Sequence, residues 1–277
     1  MTVPFSLLMA VYSGDRADFF EEAFQSTVVE QEVPPSEVVI VQDGPISAEL
    51  AASVARTIET SPIPVNLVIV QKNAGLAKAL TVGLEHCEHD VVARMDPDDI
   101  SMPDRFARQL PVIERGYDLV GTGMFEFEAD GILGTRIPPT GAAIASYAAF
   151  HDPFNHPTVV YRRSAVAAAG AYQDLPLMED YWLFMRMIKS GARVENIPLP
   201  LLKYRVDSGA YNRRGGKALF KSELRLQRSM LSAGFISRPQ YVRNVAVRGG
   251  YRFVPVFVRR VAYRLVIARG LRGKRGE

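Results

Sequence analysis

Two clusters of carboxylates carry most of the chemistry this sequence offers. Asp96-Pro97-Asp98-Asp99 places three acids within four positions. Like charges packed so closely repel, and a bound cation is the usual offset. All-oxygen donors favour Mg²⁺ or Mn²⁺. An ion held there would neutralise the charge that builds on a departing diphosphate. The structural alternative is that Asp98 or Asp99, followed by Met102-Pro103, simply caps the next helix. The second cluster is Glu179-Asp180, directly ahead of Tyr181-Trp182-Leu183-Phe184-Met185. Acids at a helix start suit the macrodipole. One of them can also serve as a general base that takes the proton of an attacking hydroxyl. Neighbouring helical residues point about 100° apart, so only one of the pair can face a substrate.

Other polar residues gather at similar places. Asp43 closes the apolar run Val38–Val41 and precedes Gly44-Pro45. It can accept hydrogen bonds from a ribose or a base, or it can make a plain Asp-Gly turn. Asn73-Ala74-Gly75-Leu76-Ala77-Lys78 opens a helix. Helix N-termini attract anions, Lys78 adds positive charge, and Asn73 can cap the helix at the same time. His156 is either a pocket residue or a loop histidine bonded to backbone. Trp182 is a candidate sugar platform, although its place inside an apolar helix favours a core role. The lone cysteine, Cys87, cannot form an internal disulfide and reads as packing at a helix end.

The elements that must position these groups alternate. Apolar runs of strand length occupy Phe5–Val11, Glu37–Val41, Val65–Val70 and Asp90–Met95. Helical spacing occupies Asp15–Thr27, Ser47–Thr60 and Ala74–Cys87. Near-continuous apolar strands imply a sheet covered on both faces. The order implies a doubly wound α/β fold with ligands at the carboxyl ends of the strands. Tyr12, Asp15, Asp43, Asn73 and Asp96–Asp99 all fall there. Beyond residue 100 the pattern predicts a helix over Pro103–Arg115 and strands over Asp118–Glu128, Gly134–Ile137 and Thr158–Tyr161. It then predicts a helix over Tyr181–Ser190, a strand over Leu201–Val206 and an amphipathic helix over Gly215–Ala233.

Charge is unevenly spread. Eleven basic residues and one acid lie between Arg238 and Glu277. Pro255–Arg269 mixes Arg259, Arg260 and Arg264 with Val258, Val261, Leu265 and Ile267, which suits a helix lying on an anionic membrane. Each basic residue would add ~1 kcal/mol there. A helix packed on the catalytic domain is the alternative. Nucleic acid is not an expected partner, because base-reading motifs are missing. No run of about twenty apolar residues predicts a membrane span, and no leader segment is expected, so the cytosol fits best.

Taken together, Met9-Ala10-Val11-Tyr12, Val41-Gln42-Asp43-Gly44, Asn73-Ala74-Gly75-Leu76, Asp96-Pro97-Asp98-Asp99 and Glu179-Asp180 resemble glycosyltransferase family 2, inverting enzymes of the GT-A fold. Further stretches are similar to its bacterial amylovoran-type branch, which builds exopolysaccharide and O-antigen units. These are Ala93-Arg94-Met95-Asp96, Pro103-Asp104-Arg105-Phe106, Pro153-Phe154-Asn155-His156-Pro157, Tyr204-Arg205-Val206 and Arg213-Arg214-Gly215-Gly216. The resemblance implies a GT-A catalytic domain over residues 1–210, Rossmann-like with a doubly wound mixed sheet, and a helical C-terminal region over 211–277.

It also implies roles. Ala10, Val11, Tyr12, Asp43, Asn73, Leu76, Lys78 and Asp96 would bind the nucleotide of a nucleotide-sugar donor, UDP-linked by expectation. Asp98, with Asp96 and Asp99, would hold Mn²⁺ or Mg²⁺. Asp180 would be the catalytic base with Glu179 beside it. His156, Trp182, Arg213 and Arg214 would line the donor or acceptor pocket. The acceptor would be a glycan or a polyprenyl-linked glycan, and the enzyme would sit on the inner face of a bacterial plasma membrane. Two departures stand out. Many relatives carry two acids where this chain has Gln42-Asp43, and no histidine follows Tyr204 as an extra metal ligand. The alternatives are a sugar nucleotidyltransferase and a catalytically silent partner in polysaccharide assembly.

Overall fold

The computed structural model describes residues 3–206 and 217–250. Four parallel strands form its first half: β1 (Phe5–Tyr12), β2 (Glu37–Asp43), β3 (Val65–Val70) and β4 (Val91–Met95). They pair in the order β3-β2-β1-β4. The sheet continues through β8 (Val160–Arg162), β6 (Leu119–Glu128), β9 (Val194–Arg205) and the short β5 (Ile100–Ser101), with β7 (Gly131–Arg136) pairing on β6. The β4–β8 and β8–β6 pairs are antiparallel, so the sheet is mixed, as expected.

Alternation along β1 shows why its sequence is unbroken apolar from Leu7 to Val11. Leu7, Met9 and Val11 pack with Phe20 and Phe24 of α1 (Ala17–Phe24), Leu50 and Val54 of α2 (Ala48–Thr60), and Phe106 and Leu110 of α4 (Arg105–Glu114). Leu8 points to the other face. There it meets Leu80 and Leu84 of α3 (Leu76–His86), Val166 of α6 (Arg163–Ala168) and Leu183, Phe184 and Met187 of α7 (Glu179–Lys189). Successive strand side chains alternate between faces, so helices on both sides demand apolar residues at every position.

The helix that begins at Glu179 is itself sandwiched. Its Tyr181, Trp182 and Met185 turn away from the sheet toward Leu219, Leu226 and Met230 of α8 (Lys217–Ser232). Burial of each such side chain contributes roughly 1.5–3 kcal/mol, so the start of α7 is rigidly held. α9 (Arg238–Asn244) follows with a capping box, in which Ser237 and Gln240 satisfy each other's backbone N–H.

Several predicted boundaries shift. The first helix ends at Phe24 and widens into a π turn over Gln25–Val29. The last strand starts at Val194, seven residues before the predicted Leu201. Pro198 and Pro200 argued against a strand, but register shifts beside Gly123 absorb them. The strand predicted over Thr158–Tyr161 begins instead at Val160, after a 3-10 turn over His156–Thr158. α5 (Ala143–Ala148) and α6 are short, and their Ala-rich sequences gave no periodicity. The predicted basic helix over Pro255–Arg269 lies outside the described residues.

Candidate active site

The chain leaves β1, β2 and β4 at one edge of the sheet, and the residues there line a cavity of about 400 Å³. Ala10, Val11 and Tyr12 come from β1, Asp43 from β2, Asn73, Gly75 and Leu76 from the start of α3, and Asp96, Pro97 and Asp98 from the turn after β4. Tyr204 of β9 closes the set.

Asp43 is buried, and both its oxygens are already engaged. One accepts from Ala74 N at 2.7 Å and the other from Gly75 N at 3.0 Å. Asn73 Nδ2 donates back to Asp43 O at 3.3 Å. The residue expected to touch a nucleoside therefore also ties the end of β2 to the entry of α3. Gly44 makes this approach feasible: its φ is +83°, and a Cβ there would lie 2.6 Å from Asn73 N. Lys78 is exposed on the first turn of α3 and does not line the cavity.

Carboxylate oxygens of Asp96, Asp98 and Asp99 lie within 4.8 Å of one another. Their environments differ. Arg94, 2% exposed, grips Asp96 with both terminal nitrogens, and its Nη1 donates to Asp96 Oδ2 at 2.6 Å. Asp98 is pushed up to about 6 by burial and by Asp96. Asp99 is fully buried and held well above the usual carboxylate range by burial, Asp98 and Asp96. Its Oδ1 accepts from Arg205 N at 2.9 Å, while Oδ2 has no hydrogen-bond partner. A buried, unpartnered carboxylate oxygen beside two more acids is costly as it stands. That arrangement fits a divalent cation, with Asp98 and Asp99 as the freer donors and Asp96 shared with Arg94.

A fourth acid joins them. Asp15 lines the same cavity, its Oδ2 accepts from Tyr12 N at 2.8 Å, and burial together with Asp98 and Asp96 raises it to about 7. The sequence reading placed Asp15 at a strand end but gave it no role.

Asp180 faces a second, smaller cavity of about 290 Å³, lined also by Asp152, His151, Arg136, Tyr181 and Arg248. Asp43 and Asp180 therefore do not share one hollow. The two cavities are linked electrostatically through Arg94. Its charge lowers Asp180 and Glu179, and Asp96 in turn raises Asp180. His156 is buried, with Nε2 2.9 Å from Tyr172 Oη and Nδ1 3.8 Å from Asp180 Oδ2. Burial and Arg94 push it well below the usual histidine range, so it stands beside Asp180 as a neutral ring. Burial is the main cause of the upward shift of Asp180. Asp152 is raised by burial and by Asp180. Glu179, raised to about 7 by burial and Asp180, accepts from Met178 N at 3.0 Å and lines neither cavity.

The other predicted pocket residues separate. Trp182 lines neither cavity. It packs edge-on against Phe235 in the layer between α7 and α8, and its Nε1 donates to Gln173 Oε1 at 2.9 Å. Arg213 and Arg214 lie outside the described residues. Arg248 was counted only among the basic residues after Ser237, and Asp152 and Arg136 were given no role, although Asp152 directly precedes the Pro153–Pro157 stretch. Buried Arg105 braces the site from behind by donating to Arg94 O at 2.8 Å and Pro157 O at 3.1 Å.

Known proteins resemble this chain in sequence and in fold. The family model for glycosyl transferase family 2 matches residues 6–167. The amylovoran biosynthesis glycosyltransferase AmsE of Erwinia amylovora is 37% identical, over 94% of this chain and 97% of its own. The UDP-Gal:alpha-D-GlcNAc-diphosphoundecaprenol beta-1,3-galactosyltransferase of Escherichia coli is 33% identical, over 98% of each. Among solved structures, S. aureus TarS 1-349 in complex with UDP-GlcNAc superposes with a TM-score of 0.67 at 16% identity, over 89% of this chain and 71% of that one. The mannosyltransferase PcManGT from Pyrobaculum calidifontis, in complex with GDP-Man and Mn2+, gives 0.64 at 17% identity, over 92% and 71%. The structural likenesses identify the fold as GT-A, and the sequence relatives carry the rest: this chain belongs to glycosyl transferase family 2.

Proposed function

We propose that the chain transfers a sugar, with inversion, from a UDP-linked donor in the first cavity to a hydroxyl of a lipid-linked glycan in the second. The observation that carries the reading is the pairing of the two cavities. One is lined by strand-end acids and an ordered α3 entry, and the other contains a carboxylate with a raised proton affinity. The charge of Arg94 acts on acids of both. The relatives named for amylovoran biosynthesis and for a diphosphoundecaprenol acceptor support the substrate class.

In this reading Asp43 and Asn73 set the nucleoside wall, and Asp98, Asp99 and Asp96 hold Mn²⁺ or Mg²⁺. Such an ion, when bound, supplies positive charge against the departing diphosphate. Asp180 takes the proton of the acceptor hydroxyl. The oxygen's electron pair forms the new bond to the anomeric carbon as the bond to the diphosphate breaks, and its electrons leave with UDP. A general base contributes on the order of 10²–10⁴ in rate. Asp180→Asn should therefore lose at least about a hundredfold in turnover while UDP-sugar binding, followed by calorimetry with Mn²⁺, survives. Retained turnover rejects Asp180 as the base.

Association with the inner face of the plasma membrane belongs to the same reading. No helix among the described residues is long and apolar enough to cross a membrane. Arg248 is occupied internally by Glu223, and Arg243 stacks over Phe150. Eight of the eleven basic residues after Ser237 lie beyond 250, and in this reading they supply the charge that meets the membrane. Deleting them should lower binding to anionic liposomes, and unchanged binding would count against surface attachment.

A further inference from the structure

The cavity that holds Asp180 has a mixed character that proton transfer does not require. At about 290 Å³ it is at the lower end for small-molecule sites, with room for little more than one sugar unit. A longer acceptor must therefore pass over the rim. Two guanidinium groups line the cavity. Arg248 is consumed: Nε and Nη2 donate to Glu223 at 2.7 and 3.0 Å, and Nη1 donates to Phe150 O at 2.5 Å. Arg136, at the end of β7, is exposed and makes no ion pair among the described residues. Its charge acts on the cavity, opposing protonation of both Asp152 and His151.

Beside this cation three large apolar side chains of the lining are open to water. Ile137 is 40% exposed, Tyr147 41% and Leu177 55%. Leu177 also has a φ of +64°. A branched side chain rarely adopts that backbone, and such outliers cluster at functional sites. Here the outlier holds a large apolar group in solvent beside the general base.

We propose that this cavity is the acceptor subsite for an amphiphile, with Arg136 binding the diphosphate that joins the acceptor sugar to an apolar chain, and with Ile137, Tyr147 and Leu177 carrying the start of that chain. The inference rests on the transferase reading and adds the residues that select its acceptor. A guanidinium fork matches phosphate oxygens in geometry and charge. Hydrocarbon directly beside it favours a ligand in which anion and apolar chain adjoin.

The test uses full-length protein and three synthetic acceptors with the same alkyl chain. One joins sugar and chain through a diphosphate, one through a neutral ether, and one through the same ether with a carboxylate on the sugar. In Arg136→Gln the preference for diphosphate over neutral acceptor, read as the ratio of kcat/KM values, should fall about tenfold, with the loss in KM. That is one decade, or about 1.4 kcal/mol. Arg136→Lys should keep part of the preference. Leu177→Asn suits the left-handed backbone and should flatten the gain in kcat/KM with alkyl length. A diphosphate preference that survives in Arg136→Gln overturns the inference. So does a loss confined to the carboxylate acceptor, or one that appears equally in the donor KM. A wild-type protein that transfers to none of the three rejects the transferase reading itself, and this inference with it.

Discussion

Arg94 and Asp96 form a two-pronged ion pair in which the cation is buried and the carboxylate is partly open, with side-chain exposures of 2% and 24%. The pair joins the two halves of the site, because the same guanidinium lowers Asp98 on one side and Asp180 on the other. Breaking a buried pair by removing one partner typically costs about 3–5 kcal/mol. Asp96 still reaches solvent, so Arg94→Met should destabilise by about 3 kcal/mol, at the lower end of that range. It should also raise the proton affinity of the acids it now restrains. Urea unfolding checks the first effect, and an acid limb of transfer displaced to higher pH checks the second.

The acceptor-side acids set the pH dependence of transfer. An ordinary aspartate titrates near 3.9. Burial raises Asp180, and Glu179 beside it stands at about 7. A base works only when deprotonated, so kcat should climb with pH through the apparent pKa of this interacting set. That climb should lie above the usual carboxylate range. Asp152 shares the cavity and is itself raised by burial and by the charge of Asp180, so it still holds its proton when Asp180 ionises. Asp152→Asn should therefore leave the limb in place. A profile of kcat against pH for both proteins decides it, and a limb moved to lower pH would show that Asp152 is already charged when the base titrates.

The acids on the donor side should make stability fall with pH. Asp15 is raised from 3.8 to about 7 by burial first, and then by Asp98 and Asp96. Between about pH 4 and 7 the folded chain keeps a proton that the unfolded chain has released. The unfolded state binds fewer protons there, so stability decreases as pH rises through that window. Asp15→Asn retains an acceptor for Tyr12 N and removes the repulsion. At pH 8, with EDTA present, the variant should be more stable by on the order of 1 kcal/mol. Added Mn²⁺ should stabilise wild type more than the variant. Thermal melts at pH 5 and pH 8, with and without the ion, test both statements.

Legibility in the sequence followed the physics of each region. β1 to β4 were readable because a sheet covered on both faces needs unbroken apolar runs, and Leu7, Leu8 and Met9 show that pattern within three residues. Asp96, Asp98 and Asp99 were readable because one turn holds all three. Asp15 was not, since its proximity to Asp98 arises only when β1 and β4 pair side by side. Asp152 and Arg136 carry no local signal of a site, because Asp180, 28 and 44 residues further along the chain, gives each its meaning only once the fold brings them to one cavity. β9 was shortened by its prolines because a bulge is a property of the pair of strands, which a single segment does not reveal.

Gly44 offers the sharpest test of how the donor wall is built. Its φ of +83° lies in the left-handed region, which costs an L-residue roughly 1–2 kcal/mol. A Cβ would also meet Asn73 N at 2.6 Å, and backbone cannot swing aside as a flexible side chain can. Gly44→Ala must therefore push the Asn73–Gly75 turn away from β2. That movement lengthens the two hydrogen bonds from Ala74 N and Gly75 N to Asp43, leaving the buried carboxylate short of donors. The combined cost should be about 2–4 kcal/mol in urea unfolding, with UDP-sugar affinity reduced at least about tenfold. Asp180 sits on α7, far along the chain and in the other cavity, so whatever Gly44→Ala does to donor affinity should leave the pH limb of kcat in place. A variant that binds donor normally would show that the Asp43 clamp on α3 is not what shapes the nucleotide wall.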